Sequence, residues 1–241
     1  MTDTSNRKAE LLSSPVEHID ISSFDGRVII DAWEKMSFTS RDAARAARIL
    51  QAAQEDKDCA VILTLAGSTS AGGCMHVWRD MIRNNMVDAV VATGASIVDM
   101  DFFEAVGFKH YQAKEVPDDR VLRDLYIDRI YDTYIDEEDL QACDHIIGDI
   151  ADSLPNGPIS SRTFIKAMGK WLADGNAKKE GSLIEECYRH GVPIFVPAFS
   201  DCSAGFGLVK HQVNRIKAGE GYVSIDSVAD FRELTDVKIK A

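Results

Sequence analysis

AVILTLAGSTSAGG, residues 60 to 73, decides how the chain folds. Ala60 to Leu65 is a short apolar run, partly β-branched, of the kind that forms a parallel strand covered on both faces. It breaks into Gly67, Ser68, Thr69, Ser70, Ala71, Gly72 and Gly73, a loop of small side chains, hydroxyls and approachable backbone N–H groups. The helical segment Cys74 to Asn84 follows, so the order is strand, loop, helix. α/β proteins cradle phosphate or diphosphate groups at such a helix N-terminus. The pattern matches neither G-x-G-x-x-G nor G-x-x-x-x-G-K-[ST], and an ordinary small-residue loop stands beside the ligand-binding reading.

The pattern recurs twice. VDAVVATGAS, Val87 to Ser96, is a second apolar run closed by small residues, and IVDMDFFEAVG turns helical after it. VPIFVPAFSDCSAGFG, Val192 to Gly207, is a third, with Asp201, Cys202 and Ser203 at its tip. Such units argue for a parallel sheet with helices on its faces, where ligands bind beyond the carboxyl ends of the strands. Asp99 and Asp101 sit just past the second loop. They either complement a helix dipole or contact a ribose hydroxyl or an amine. Cys202 with His211 raises a nucleophile and base; a cysteine with no electropositive setting is more simply packing.

With 241 residues, 45% of them hydrophobic, the chain holds enough apolar material for one sizeable α/β core. Five cysteines form no C-x-x-C pair, which favours a reduced cytoplasmic setting over a disulfide framework or zinc site. No apolar stretch is long enough to span a bilayer, and the start MTDTSNRKAE lacks a secretory apolar core, so no membrane association is expected. A net charge of −12 argues against a nucleic-acid partner and permits a cationic ligand such as a polyamine.

Residues 1–15, polar and without periodicity, read as a flexible arm ahead of a single domain over 16–241. His18 to Ile30 carries no clear pattern. From Ser40, an N-cap candidate, an amphipathic helix places Ala46, Ile49, Leu50 and Ala53 on one face and Arg41, Arg45 and Arg48 on another. Val116 to Asp152 is charged and helical in tendency. Asp136, Glu137, Glu138 and Asp139 cluster there at a helix start, where they complement its dipole and face several directions, so no metal site is expected. Leu154 to Ser160 reads as a turn, and Ser161 to Trp171 and Ser182 to Arg189 as helices. YVSIDSVADFRELTDVKIKA ends the chain as a short strand and a helix.

AGSTSAGG with MIRNNMVDAVVATGAS, and VPIFVPAFSDCSAGFG with VSIDSVADFREL, resemble the deoxyhypusine synthase family, closest to its bacterial deoxyhypusine synthase-like members. The resemblance runs from about Pro15 to the last residue. It implies a Rossmann-like NAD-binding domain, a homotetramer with shared sites, and transfer of an aminobutyl group from a polyamine such as spermidine. The acceptor would be a protein lysine or, in some bacterial relatives, a small amine giving products such as homospermidine.

Residue by residue, the resemblance assigns NAD contacts to Gly67, Ser68, Thr69, Ser70 and Ala71, to Thr93, Gly94 and Ala95, and to Asp201. It gives Asp99 a contact with both cofactor and polyamine, and places Ser203 beside the substrate. Val98 and Phe206 stand where the synthases have carboxylates, which points to a different amine donor or acceptor. The family's catalytic lysine falls beyond Ala241. The chain therefore reads as truncated at its C-terminus, its catalytic residue unassigned, and Lys210 has no claim on that role. A non-catalytic homologue and a Cys202-dependent hydrolase are the rival readings.

Overall fold

The computed structural model describes residues 2–237. Among them run eight strands: β1 (Ile62–Leu65), β2 (Ala89–Ala92), β3 (His110–Gln112), β4 (Ile127–Ile130), β5 (Thr133–Asp136), β6 (Gly157–Ile159), β7 (Ile194–Phe195) and β8 (Val223–Ile225). The apolar runs of the three repeated units become β1, β2 and β7, a parallel sheet in that order. Ile62 pairs with Ala89 and Leu65 with Ala92, while Val90 pairs with Ile194. β2 is central and its Ala89 and Val90 are fully buried, as a strand covered on both faces requires. The α/β class and parallel sheet expected from the repeats are present, with all three loops leaving the same end.

Helices pack this sheet into one main core. Phe102, Phe103, Phe164, Phe199, Met168 and Leu183 are buried within it, each aromatic contributing roughly 2–3 kcal/mol through the area it removes from water. The helix Met75–Arg83 follows the first loop, helix Phe102–Ala105 the second, and helix Ala204–Lys217 the third. No described helix is long and apolar enough to cross a membrane.

Several expectations are corrected. Residues 2 to 11 of the supposed arm form the helix Thr2–Leu11, while Met1 lies outside the described residues. Leu11 is buried against Leu122, Leu125, Ile127 and Tyr134, and Lys8 pairs with Asp136 at 2.8 Å and Glu138 at 2.8 Å. Packing, not intrinsic propensity, holds that helix down. The helix Arg27–Glu34 begins inside the patternless stretch and runs past its end, and the next helix begins at Phe38 with Ser37 as N-cap. Its supposed buried face is open, since Ile49 and Leu50 are exposed and only Ala44 is buried.

Charge misled the reading of Val116 to Asp152. β4 and β5 lie there and join β3 in an antiparallel sheet, with Ile127 opposite Asp136 and Ile130 opposite Thr133. Only after them does the helix Glu137–Asp152 begin, capped by the Asp136 carboxylate, which accepts from Glu138 N at 3.0 Å. The turn at Leu154 to Ser160 holds β6, which pairs in parallel with β8.

Candidate functional site

The three loops meet at the carboxyl ends of β1, β2 and β7. Ser96 ties the first two together: its hydroxyl donates to Ala66 O at 2.6 Å and accepts from Thr69 N at 3.3 Å, while Ser70 Oγ donates to Ser96 O at 2.7 Å. The first loop bends through Ser68, whose φ of 65° is left-handed, a conformation that non-glycine residues hold only where their surroundings impose it. Gly94 joins the second loop to the third. A β-carbon there would lie 2.3 Å from Cys202 Sγ and 2.5 Å from its Cβ, so no side chain fits.

Where the loops meet, Gly67 and Thr93 are exposed, Ser68, Thr69 and Ala95 are half-buried, and Ser70, Ala71 and Gly94 are buried. Asp201 is exposed at the tip of the third loop. The structure thus gathers residues from all three segments singled out in the sequence. Ser96 is the connecting group that sequence reasoning passed over, although it closes the quoted stretch VDAVVATGAS.

The two aspartates past the second loop do meet helix starts, but those of helices other than the one they lead into. Asp99 is 4% exposed, and its carboxylate accepts from Ser203 N at 2.9 Å and Ala204 N at 2.7 Å. Asp101, wholly buried, accepts from Ser182 Oγ at 2.7 Å, Leu183 N at 2.8 Å and Ile184 N at 2.9 Å. Each carboxylate clamps the start of a helix far away in sequence, where unpaired N–H groups and the dipole favour a negative charge. Burial nevertheless outweighs these bonds and pushes both carboxyls up to about 6.

Cys202 lacks the setting of a nucleophile. Its Sγ donates to Phe199 O at 3.0 Å, and burial, helped by the nearby Asp99 charge, pushes the thiol up to about 12. His211 is engaged elsewhere: Nδ1 lies 2.7 Å from Asp152 Oδ1, and Nε2 accepts from Val223 N at 3.0 Å. Lys210 is exposed and contacts His145, not the dry pocket that a nucleophilic lysine needs. Phe206 is exposed at 71% on the first turn of the helix after the third loop.

Fold and site together define an α/β protein in which three small-residue loops converge at the carboxyl edge of a parallel sheet. A model of the deoxyhypusine synthase family matches residues 28–241. The chain is 69% identical over 236 residues to the deoxyhypusine synthase-like protein of Caulobacter vibrioides, covering 98% of this chain and 64% of that protein. It is 64% identical over 234 residues to the deoxyhypusine synthase-like protein of Coxiella burnetii, covering 97% and 66%. The chain belongs to the deoxyhypusine synthase family, and it spans about two thirds of the length of these relatives. The crystal structure of an Entamoeba histolytica protein described as a deoxyhypusine synthase superposes with a TM-score of 0.62 at 15% identity, covering 92% of this chain and 74% of that one. At that identity the likeness speaks for the fold alone.

Proposed function

We propose that this chain carries the dinucleotide-binding loops of an NAD-dependent transferase that moves an aminobutyl group from a polyamine such as spermidine to an amine acceptor. The observation that carries the reading is the convergence of three small-residue loops at the carboxyl ends of adjacent parallel strands, in a chain belonging to the deoxyhypusine synthase family. The residues present fit a dinucleotide. At Gly67 a β-carbon would come no closer than 3.7 Å, to Thr93 Oγ1, so the backbone there stays approachable. Gly67 to Ala71 and Thr93 to Ala95 would hold the cofactor from two sides, with Asp201 reaching from the third loop. NAD, when bound, supplies a hydride acceptor for oxidation of an amine.

The remaining roles belong to the chain itself. Asp99 accepts one backbone N–H on each carboxylate oxygen and so fixes Ser203, while its oxygens keep lone pairs for the cofactor and the polyamine. Ser203 would then offer its hydroxyl to substrate from a fixed backbone. The exposed ring of Phe206 at the same edge favours an amine with an apolar stem over one held by carboxylates alone. The family suggests further that several copies assemble, as a homotetramer, in a cytoplasmic setting.

The direct test is to incubate the purified protein with NAD and a panel of polyamines and to analyse products by mass. An aminobutyl-extended amine that appears only when NAD is present supports the reading. NAD binding without any new amine would favour a nucleotide-binding homologue that does not turn over.

A further inference from the structure

Beyond these loops, a second set of buried polar groups surrounds Glu104. This residue is 2% exposed; its Oε1 lies 2.7 Å from His110 Nδ1, its Oε2 lies 2.7 Å from His18 Nε2, and the same oxygen takes Lys179 Nζ. A buried carboxylate demands such partners, because an unpaired one would be strongly destabilising. His18 reaches it from a strap, Ser14 to Ile19, that runs along the edge of the antiparallel sheet. Ser14 O accepts from Gln112 N at 2.7 Å and Val16 N donates to His110 O at 2.8 Å. The His18 ring also rests on His76, centroids 4.9 Å apart, in the helix that follows the first loop.

The far end of the strap lands on the first loop. Ile19 N donates to Gly73 O at 3.0 Å. At Gly73, whose φ is +87°, a β-carbon would sit 2.8 Å from Glu17 O, so the strap lies flat on that turn. The turn is continuous with the rest of that loop, since Gly72 N donates to Ser68 O at 3.1 Å and Cys74 N to Thr69 O at 3.2 Å. Thr69 and Ser70 in turn bond to Ser96. Ser96 and Glu104 stand near opposite ends of one segment, residues 95–105. That segment therefore grips the first loop twice, directly through Ser96 and indirectly through Glu104, His18 and the strap.

We propose that His18 and Glu104 form a latch whose closure sets the shape of the first loop, making both of them positioning residues for the ligand bound there. The ligand part of this inference rests on the NAD reading above; the mechanical part does not. Neither side chain needs to touch the ligand, because the strap transmits the constraint through the Ile19 to Gly73 bond. Lys179 shares the Glu104 carboxylate but belongs to another segment, so it provides the natural control.

The test measures amide hydrogen exchange and calorimetric NAD affinity on the whole chain and on His18→Leu, His18→Gln and Lys179→Met. In His18→Leu, the amides of Ile19, Gly72 and Cys74 should exchange about tenfold faster and NAD affinity should drop by about the same factor, as expected for a local opening. Glutamine can place an N–H donor where the imidazole Nε2 stood, so His18→Gln should recover most of both. Lys179→Met should change neither. If His18→Leu does not fold, His18→Asn, too short to reach Glu104, carries the same expectation. Unchanged exchange at the three amides overturns the latch whatever NAD does, and so does an equal effect from Lys179→Met, which would mean general loosening. Faster exchange with NAD affinity equal to the parent's removes the positioning role. Faster exchange in a protein whose parent binds no NAD overturns the cofactor reading and leaves the latch standing.

Discussion

Gly94 and Cys202 meet between the second and third loops: a β-carbon on the glycine would overlap both the sulfur, at 2.3 Å, and the cysteine Cβ, at 2.5 Å. Gly94→Ala should therefore push the third loop away from β2 and cost about 1–3 kcal/mol, the usual range for overpacking. Cys202→Ala keeps the offending Cβ and should rescue little. Cys202→Gly removes it and should restore much of the loss when combined with Gly94→Ala. Urea unfolding of the single and double variants measures this coupling, and additive effects would show that the two residues are not in contact.

The raised thiol makes a separate statement about chemistry. With its pKa pushed up to about 12, Cys202 would be thiolate in only about one molecule in ten thousand at pH 8. Cys59, Cys74 and Cys202 are all partly accessible, so the raised thiol rather than access should make iodoacetamide at that pH label Cys202 well after the other two in the folded protein. Peptide mapping after brief labelling gives the order. Cys202 labelled first would revive the hydrolase reading. Replacing it by alanine should leave any amine-transfer activity within about tenfold of the parent, since burial, not reaction, explains the residue.

How much was legible in the sequence depends on the range of the forces involved. β1, β2 and β7 announce themselves as short apolar runs because a central parallel strand is dry on both faces, and the loops after them show by their small residues. β4 and β5 were hidden by their charges. Along β4, Ile127 shares a face with Arg129 and Asp128 with Ile130, so no apolar alternation marks the strand, and it forms through its pairing with β5. The helix at residues 2 to 11 depends on Leu11 meeting Tyr134, more than a hundred residues on. Likewise, Asp99 and Asp101 look like caps of their own helix, whereas the N–H groups they bind belong to Ser203, Ala204, Leu183 and Ile184. No local pattern encodes such pairings.

Where the loops meet, Gly67→Leu should weaken NAD binding by placing a branched side chain in the approach beside Thr93, whose Oγ1 would lie 3.7 Å from the new β-carbon. Asp201→Ala should weaken it as well, by removing an exposed carboxylate at the tip of the third loop. A loss of about tenfold in each corresponds to ~1.4 kcal/mol. Calorimetric titration of both variants beside the parent decides the matter, and unchanged affinity in both would remove the cofactor from these loops.

The last expectation concerns acid. Asp99 and Asp101 hold their protons up to about pH 6 in the folded chain because burial disfavours the charged form, whereas the ordinary aspartate value is 3.8. For a folded pKa raised above the unfolded one, the stability contribution is fully present below the unfolded value and is lost as pH rises through the folded value. Between about pH 4 and 6 each group thus makes the protein less stable as pH rises, by up to ~1.4 kcal/mol per pH unit. Glu104 runs the other way. Burial alone would raise it, but hydrogen bonds from His110 and His18 prevail and hold it below its usual range, so its contribution is lost as pH falls. Comparing Asp101→Asn with the parent cancels Glu104 to first order. The variant should be less stable overall, because its amide cannot accept from Ser182, Leu183 and Ile184 as the carboxylate does. Its stability should nevertheless fall less steeply between pH 4 and 6. Urea unfolding at pH 4, 5, 6 and 7 reads the difference, and parallel curves for variant and parent would mean that Asp101 does not titrate in that window.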